Sequence, residues 1–200
     1  SSVYTTILTT RVWLFFAGAL IFLALLMPNL FLARRLSPVI GDTVFIGQGL
    51  VIMRRGLDIG ILGAVVFLSV IFGLVASSQW EMILRFSHAT NFGVSEPLLG
   101  RDVAFYIFNL PFYHFLQGWL IWAVVITLIF AAVIYGLNLG FRRAAFTTAI
   151  KGHLSVLGAV MFFLISWSYR LNIFDLVYSG RGVLFGAGYT DVHAQWLAWK

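Results

Sequence analysis

Residues 91–113 read NFGVSEPLLGRDVAFYIFNLPFY, and within this stretch begins a run of 39 residues, Val103 to Phe141, without an Asp, Glu, Lys or Arg. A helix needs only about 20 predominantly apolar residues to cross the hydrocarbon core of a bilayer. As one straight helix the run would be roughly 58 Å long at 1.5 Å per residue, so the sequence predicts a break. Pro111 is the expected place, because proline has no amide hydrogen to donate to the preceding turn and its ring meets the carbonyl four residues back. The expectation is a short helix or extended piece over Val103 to Leu110 at the membrane surface, with the span starting after Pro111. Phe105, Tyr106, Phe108, Phe112, Tyr113 and Trp119 would then lie at headgroup depth, where rings with a polar edge are favoured. Arg101 and Asp102 would stay in water or pair with each other.

Composition agrees with a membrane protein. The 200 residues are 61% hydrophobic and 10% charged, against roughly 25% charged in an ordinary soluble domain. The net charge of +6 is spread over the segments between apolar runs rather than along one face, so it is not a nucleic-acid footprint. The absence of cysteine removes disulfides, thiolate chemistry and Cys-ligated zinc. The chain opens on Ser1 rather than Met, which leads us to expect a fragment or processed form.

Four windows meet the length and charge criteria for spans: Val12 to Ala33, Ile59 to Trp80, Phe112 to Leu139 and Gly152 to Tyr169. The fold class expected is therefore all-α, a polytopic transmembrane helical bundle forming a single transmembrane domain. It would have an interfacial helix before the third span (outer segment 91–111) and an outer tail (170–200). The fourth window is short and is expected to borrow Ile150 at one end or Arg170 and Leu171 at the other. Arg34, Arg35, Arg54 and Arg55 lie between the first two windows, and Arg142, Arg143 and Lys151 between the last two; these seven face six basic residues on the opposite side. The totals barely differ, but the arginine pairs adjoin span ends, where the positive-inside rule acts most strongly. Both pair-bearing segments are expected in the cytoplasm and the N-terminus of this chain on the outer side.

The spans read as built to pack. Ser69, Gly73 and Ser77 recur every fourth residue in the second window, as do Gly60 and Ala64, and Ala123, Thr127 and Ala131 repeat the device in the third. Small residues at this spacing let another helix approach closely. Beyond Tyr169, Leu171, Phe174 and Tyr178 keep helical spacing, Gly180 to Gly188 end regular structure, and Trp196 and Trp199 suggest a further interfacial anchor.

Chemistry is sparse. No window carries an Asp, Glu, Lys or Arg in its interior, which counts against ion coupling through buried charges. The glycines near Gly180 match neither the P-loop nor the dinucleotide fingerprint, so turns are the simpler reading. Among the four histidines, His114 and His153 are weak candidates for axial ligation of a pigment or haem. Hydrogen-bonded interfacial histidines are the plainer explanation, and no cofactor or metal is expected. Glu96, Asp102, Asp175 and Asp191 read as caps, turn formers and partners for arginines rather than a catalytic pair.

Two stretches, QWEMILRFSHATNFGVSEPLLGRDVAFYIFNLPFYHFLQGWL (residues 79–120) and YSGRGVLFGAGYTDVHAQ (178–195), resemble the bacterial integral membrane proteins of uncharacterised protein family 0182, and NLFLARRLSP (29–38) looks like that family's cytoplasmic edge after an early span. The resemblance implies a bacterial inner-membrane protein, larger than this chain, with more spans and a big extracytoplasmic region. It transfers no activity and no catalytic residues. The favoured expectation is a non-enzymatic scaffold or subunit of a larger membrane complex, with the bilayer and other membrane subunits as partners and Pro111, Arg101, Asp102, Gly73, Ser69 and Ser77 as structural residues. Alternatives are a transporter or channel for a lipid or weakly charged solute, a pigment- or haem-binding subunit, and an outward-facing enzyme using Asp102 or Asp191 with a second carboxylate.

Overall fold

The computed structural model describes residues 2–37, 48–97, 99–142 and 147–178. Helix α1 is Ser2–Arg35, α2 Gln48–Ser78, α3 Trp80–Ser87, α4 Leu110–Arg142 and α5 Thr148–Asp175. A π-helical turn over Phe105–Asn109 leads into α4, and a short 3-10 turn over Leu176–Tyr178 follows α5. Among the described residues there is no strand, only an isolated bridge between Ser95 and Asp102. The predicted tail from residue 179 onward, with Asp191, lies outside the described residues.

Four helical segments are long and apolar enough to cross a membrane: Val3–Arg35, Arg55–Ser78, Phe105–Leu137 and Thr148–Asp175. Only 22% to 33% of the residues in their most apolar windows are buried within the chain. Phe31, Phe67, Trp122, Phe162 and Phe163 are each more than 60% exposed. A surface of this kind is unstable in water but suits lipid, where only the backbone must be satisfied internally.

The break expected at Pro111 does not occur. Helical structure runs without interruption from Val103 into α4, and Pro111 sits in the first turn of that helix. The Leu110 N–H donates to the Phe105 carbonyl, five residues back instead of four. The widened turn makes room beside the proline ring and leaves no regular bond for the missing amide to break. The separate short helix before the third span is instead α3. Its exposed Glu81 and Arg85 form an ion pair one turn apart, and Met82, Ile83, Leu84 and Phe86 are half-buried.

The chain divides into two compact units, residues 1–80 with 122–159 and residues 81–121 with 160–200. In the first, α1 and α2 pack with their backbones close together. A Cβ placed on Gly18 would lie 2.6 Å from Ala76 Cβ, and one on Gly73 would lie 2.7 Å from the Phe15 carbonyl oxygen, so both contacts require glycine. Phe22 stacks on Phe72 at 4.1 Å, Arg34 pairs with Asp58 at 3.1 Å, and Arg11 lies over the Trp80 ring. The expected small-residue stripes are buried in part: Ser69, Gly73, Ala123, Thr127 and Ala131 are buried, Ser77 half-buried and Gly60 exposed. In the second unit Tyr106, Leu110 and Leu171 form a core flanked by Phe105, Tyr113, Trp167 and Phe174. Gln117, buried on α4, donates from Nε2 to the Leu164 carbonyl of α5 at 3.2 Å.

Candidate functional site

Besides the Arg34–Asp58 pair, polar side chains converge at three places among the described residues. The most deeply buried cluster, in the first unit, joins three helices: His153 on α5, Tyr135 on α4 and Asn29 on α1. Tyr135 Oη lies 2.6 Å from His153 Nδ1, and His153 Nε2 lies 3.0 Å from Asn29 Oδ1. Asn29 Nδ2 donates to the Leu25 carbonyl at 2.6 Å, which leaves Oδ1 to accept. His153 therefore carries its proton on Nε2 and accepts from the Tyr135 hydroxyl at Nδ1. His153 is 6% exposed and Tyr135 2%. Both imidazole nitrogens are occupied, so a pigment or haem ligated here would have to displace Tyr135 or Asn29.

The second cluster organises residues 91–106. Asp102 Oδ1 accepts from the backbone N–H of Ala104 at 2.8 Å and of Phe92 at 3.2 Å, and Oδ2 accepts from Gly93 N–H at 2.9 Å. The Ala104 amide bond, with those from Phe92 and Gly93, holds the Asp102 carboxyl below its ordinary range, partly opposed by desolvation. Glu96 Oε2 accepts from Leu99 N–H at 2.7 Å and from the Tyr106 hydroxyl at 3.4 Å. Gly93 and Gly100 take positive φ angles of 70° and 67°, which only glycine adopts without strain. Asp102 and Arg101 do not pair with each other, as one expectation had it: the carboxylate is spent on backbone amides and the guanidinium lies 5.5 Å from the Phe105 ring centroid. These two carboxylates hold a loop together.

At the third place His114 Nε2 lies 3.0 Å from Asp175 Oδ1, joining α4 to α5 with both side chains partly exposed. The structure thus keeps His114 and His153 in separate clusters. Among the described residues no three His, Cys, Asp or Glu side chains gather as a metal site.

Sequence reasoning singled out His153 but missed Asn29 and Tyr135. Asn29 follows Pro28 inside an apolar run and stands 124 residues from His153; a lone amide in a span is a signal, but spacing names no partner for it. Gly18 was missed for the same reason, since its role depends on Phe72 and Ala76 across the helix pair.

Four apolar helices, mostly exposed outside two small cores, define a polytopic α-helical membrane protein. The model of the uncharacterised protein family UPF0182 matches residues 1–200, and the chain belongs to that family. A UPF0182 protein of Moorella thermoacetica is 44% identical over 131 residues, covering 63% of this chain and 14% of its own length. Family proteins of Thermobifida fusca and Frankia alni are 36% and 33% identical over 202 aligned positions, covering 97% of this chain and 20% of their own length. The chain therefore spans between a seventh and a fifth of the length of these relatives. No solved structure matches it.

Proposed function

We propose that this chain is a non-catalytic scaffold of the bacterial inner membrane, anchoring the extracytoplasmic part of a longer protein and docking with other membrane subunits. The observation that carries this reading is the use made of polar groups inside the helices. Ser69, Gln117, Thr127 and His153, the buried polar side chains described within the spans, are each hydrogen-bonded inside the protein. Groups that work on a solute or ion at membrane depth need valences turned toward a path, whereas here they tie helices to one another or to their own backbone. The short share of the relatives' length covered by this chain supports the anchoring role.

The test is deletion of residues 1–200 from the full-length protein in its native host, followed by identification of what co-purifies from membrane. The scaffold reading expects membrane subunits to be lost from the purified complex. An unchanged set of partners, or saturable solute flux through proteoliposomes of the full-length protein, would overturn it in favour of a transporter.

A further inference from the structure

Arg11 is the only charged residue among the first 33, and its guanidinium lies 5.5 Å from the centroid of the Trp80 ring. Depth follows from counting along each helix. Arg34, in the last turn of α1, comes 23 residues after Arg11, a rise of roughly 35 Å at 1.5 Å per residue. Arg55 opens the second span 23 residues before Ser78, the last residue of α2, so that rise is also roughly 35 Å, and Trp80 follows two residues on. The hydrocarbon core of a bilayer is about 30 Å thick. With Arg34 and Arg55 at one surface, the two helices independently bring Arg11 and Trp80 to the headgroups of the opposite leaflet, a depth at which tryptophan is favoured.

Arg11 is exposed, and among the described residues no carboxylate pairs with it: the ion pairs there join Arg34 to Asp58, Arg85 to Glu81 and His114 to Asp175. Glu81, the acid next to Trp80 in sequence, is thus already engaged. An indole face attracts a cation but neutralises none of its charge. At headgroup depth the groups that offer a full negative charge are lipid phosphates, and a planar guanidinium matches a phosphate through two parallel hydrogen bonds.

We propose that Arg11 and Trp80 form a site for the phosphodiester of an anionic glycerophospholipid in the leaflet opposite the Arg34 end, the guanidinium fork binding the phosphate and the indole holding the fork in place. Charge decides between headgroups. A zwitterionic lipid brings an ammonium as well, and the acid nearest in sequence, Glu81, is committed to Arg85. An anionic lipid matches one negative charge to one positive charge. The inference holds whether the longer protein scaffolds or transports.

In the experiment the full-length protein in detergent micelles is titrated with phosphatidylglycerol and, separately, with phosphatidylethanolamine, and bound lipid is counted by native mass spectrometry for the parent, Arg11→Gln and Arg11→Lys. The expected result is a phosphatidylglycerol affinity about tenfold weaker in Arg11→Gln, with phosphatidylethanolamine binding unchanged. Arg11→Lys should fall between the two, because it keeps the charge and loses the fork. Millimolar inorganic phosphate should not displace the lipid; displacement would assign the site to free phosphate and overturn the proposal. Equal phosphatidylglycerol affinity in the parent and Arg11→Gln would overturn it too. So would equal loss of both lipids with a lower melting temperature in lipid-free micelles, which would reduce Arg11 to a tie between α1 and the end of α2. Should Arg11→Gln fail to fold, parental phosphatidylglycerol affinity in Arg11→Lys would still sink the two-bond site.

Discussion

Asn29, Tyr135 and His153 fix one another's protons, and the consequence is a stability effect that no single contact predicts. Replacing Tyr135 with Phe leaves His153 Nδ1 buried without a donor. An unsatisfied buried group costs about 1–3 kcal/mol, although interhelical hydrogen bonds in membranes average only about 0.6 kcal/mol. We expect Tyr135→Phe to destabilise the helix bundle by about 1 kcal/mol in a reversible unfolding assay. Tyr135→Phe and His153→Ala should be strongly non-additive, because both act on the same bond; additive losses would mean that the hydroxyl is satisfied elsewhere. At Asp102 the sign of the pH dependence is set by a folded-state pKa held below the ordinary 3.8. Its contribution is fully present above that value and is lost as pH falls through the lower folded one. Protease resistance of residues 91–102 should therefore persist across neutral pH and fall only in strong acid. Asp102→Asn should be less resistant at pH 7 and should lack that acid transition, and a variant as resistant as the parent would contradict the role given to the carboxylate. This much was partly legible. The sequence marks Asp102 as a cap or turn former, but which amides it would cap depends on the chain folding back onto Phe92 and Gly93, ten and nine residues earlier.

At the scale of elements, hydrophobic length is the strongest signal a membrane sequence carries: three of the four predicted windows lie wholly within one long helix each, and the second lies within α2 except for its last two residues, Gln79 and Trp80. The helices run past the windows because their ends continue beyond the uncharged stretch. What the pattern could not show is how the chain accommodates Pro111. Proline breaks a helix through one missing hydrogen bond and one clash, and a single wide turn removes both without ending the helix. Pro111→Ala restores the amide and removes the ring, allowing residues 105–109 to tighten into an α-turn. Contracting the turn by one residue rotates the preceding segment by about 100°, which would carry Tyr106 out of its core with Leu110 and Leu171 and away from Glu96. The expected readout is faster proteolysis within residues 91–102. Unchanged protection would show that packing around Tyr106, rather than the proline, holds the wide turn.

For the whole molecule the governing quantity is the location of charge relative to the spans. Arg34 and Arg35 close α1 in its last turn, Arg55 opens the second candidate span, and α4 ends at Arg142. The positive-inside rule acts on basic residues close to span ends, so the proposed topology puts these ends in the cytoplasm and residues 91–102 outside. The near balance of basic residues makes this a strict test, because total charge alone does not decide orientation. The chain contains no cysteine, so single cysteines report on it without background once any elsewhere in the longer protein are removed. Val94 is 61% exposed in the loop, and Thr148, also exposed, opens α5. In intact spheroplasts a membrane-impermeant maleimide should label Val94→Cys within minutes and should leave Thr148→Cys unlabelled until the membrane is permeabilised. The reverse pattern would invert the topology and remove the outward anchoring role. Labelling of both sites without permeabilisation would mean that α4, the helix set up by the wide turn ahead of Pro111, does not separate them by a bilayer.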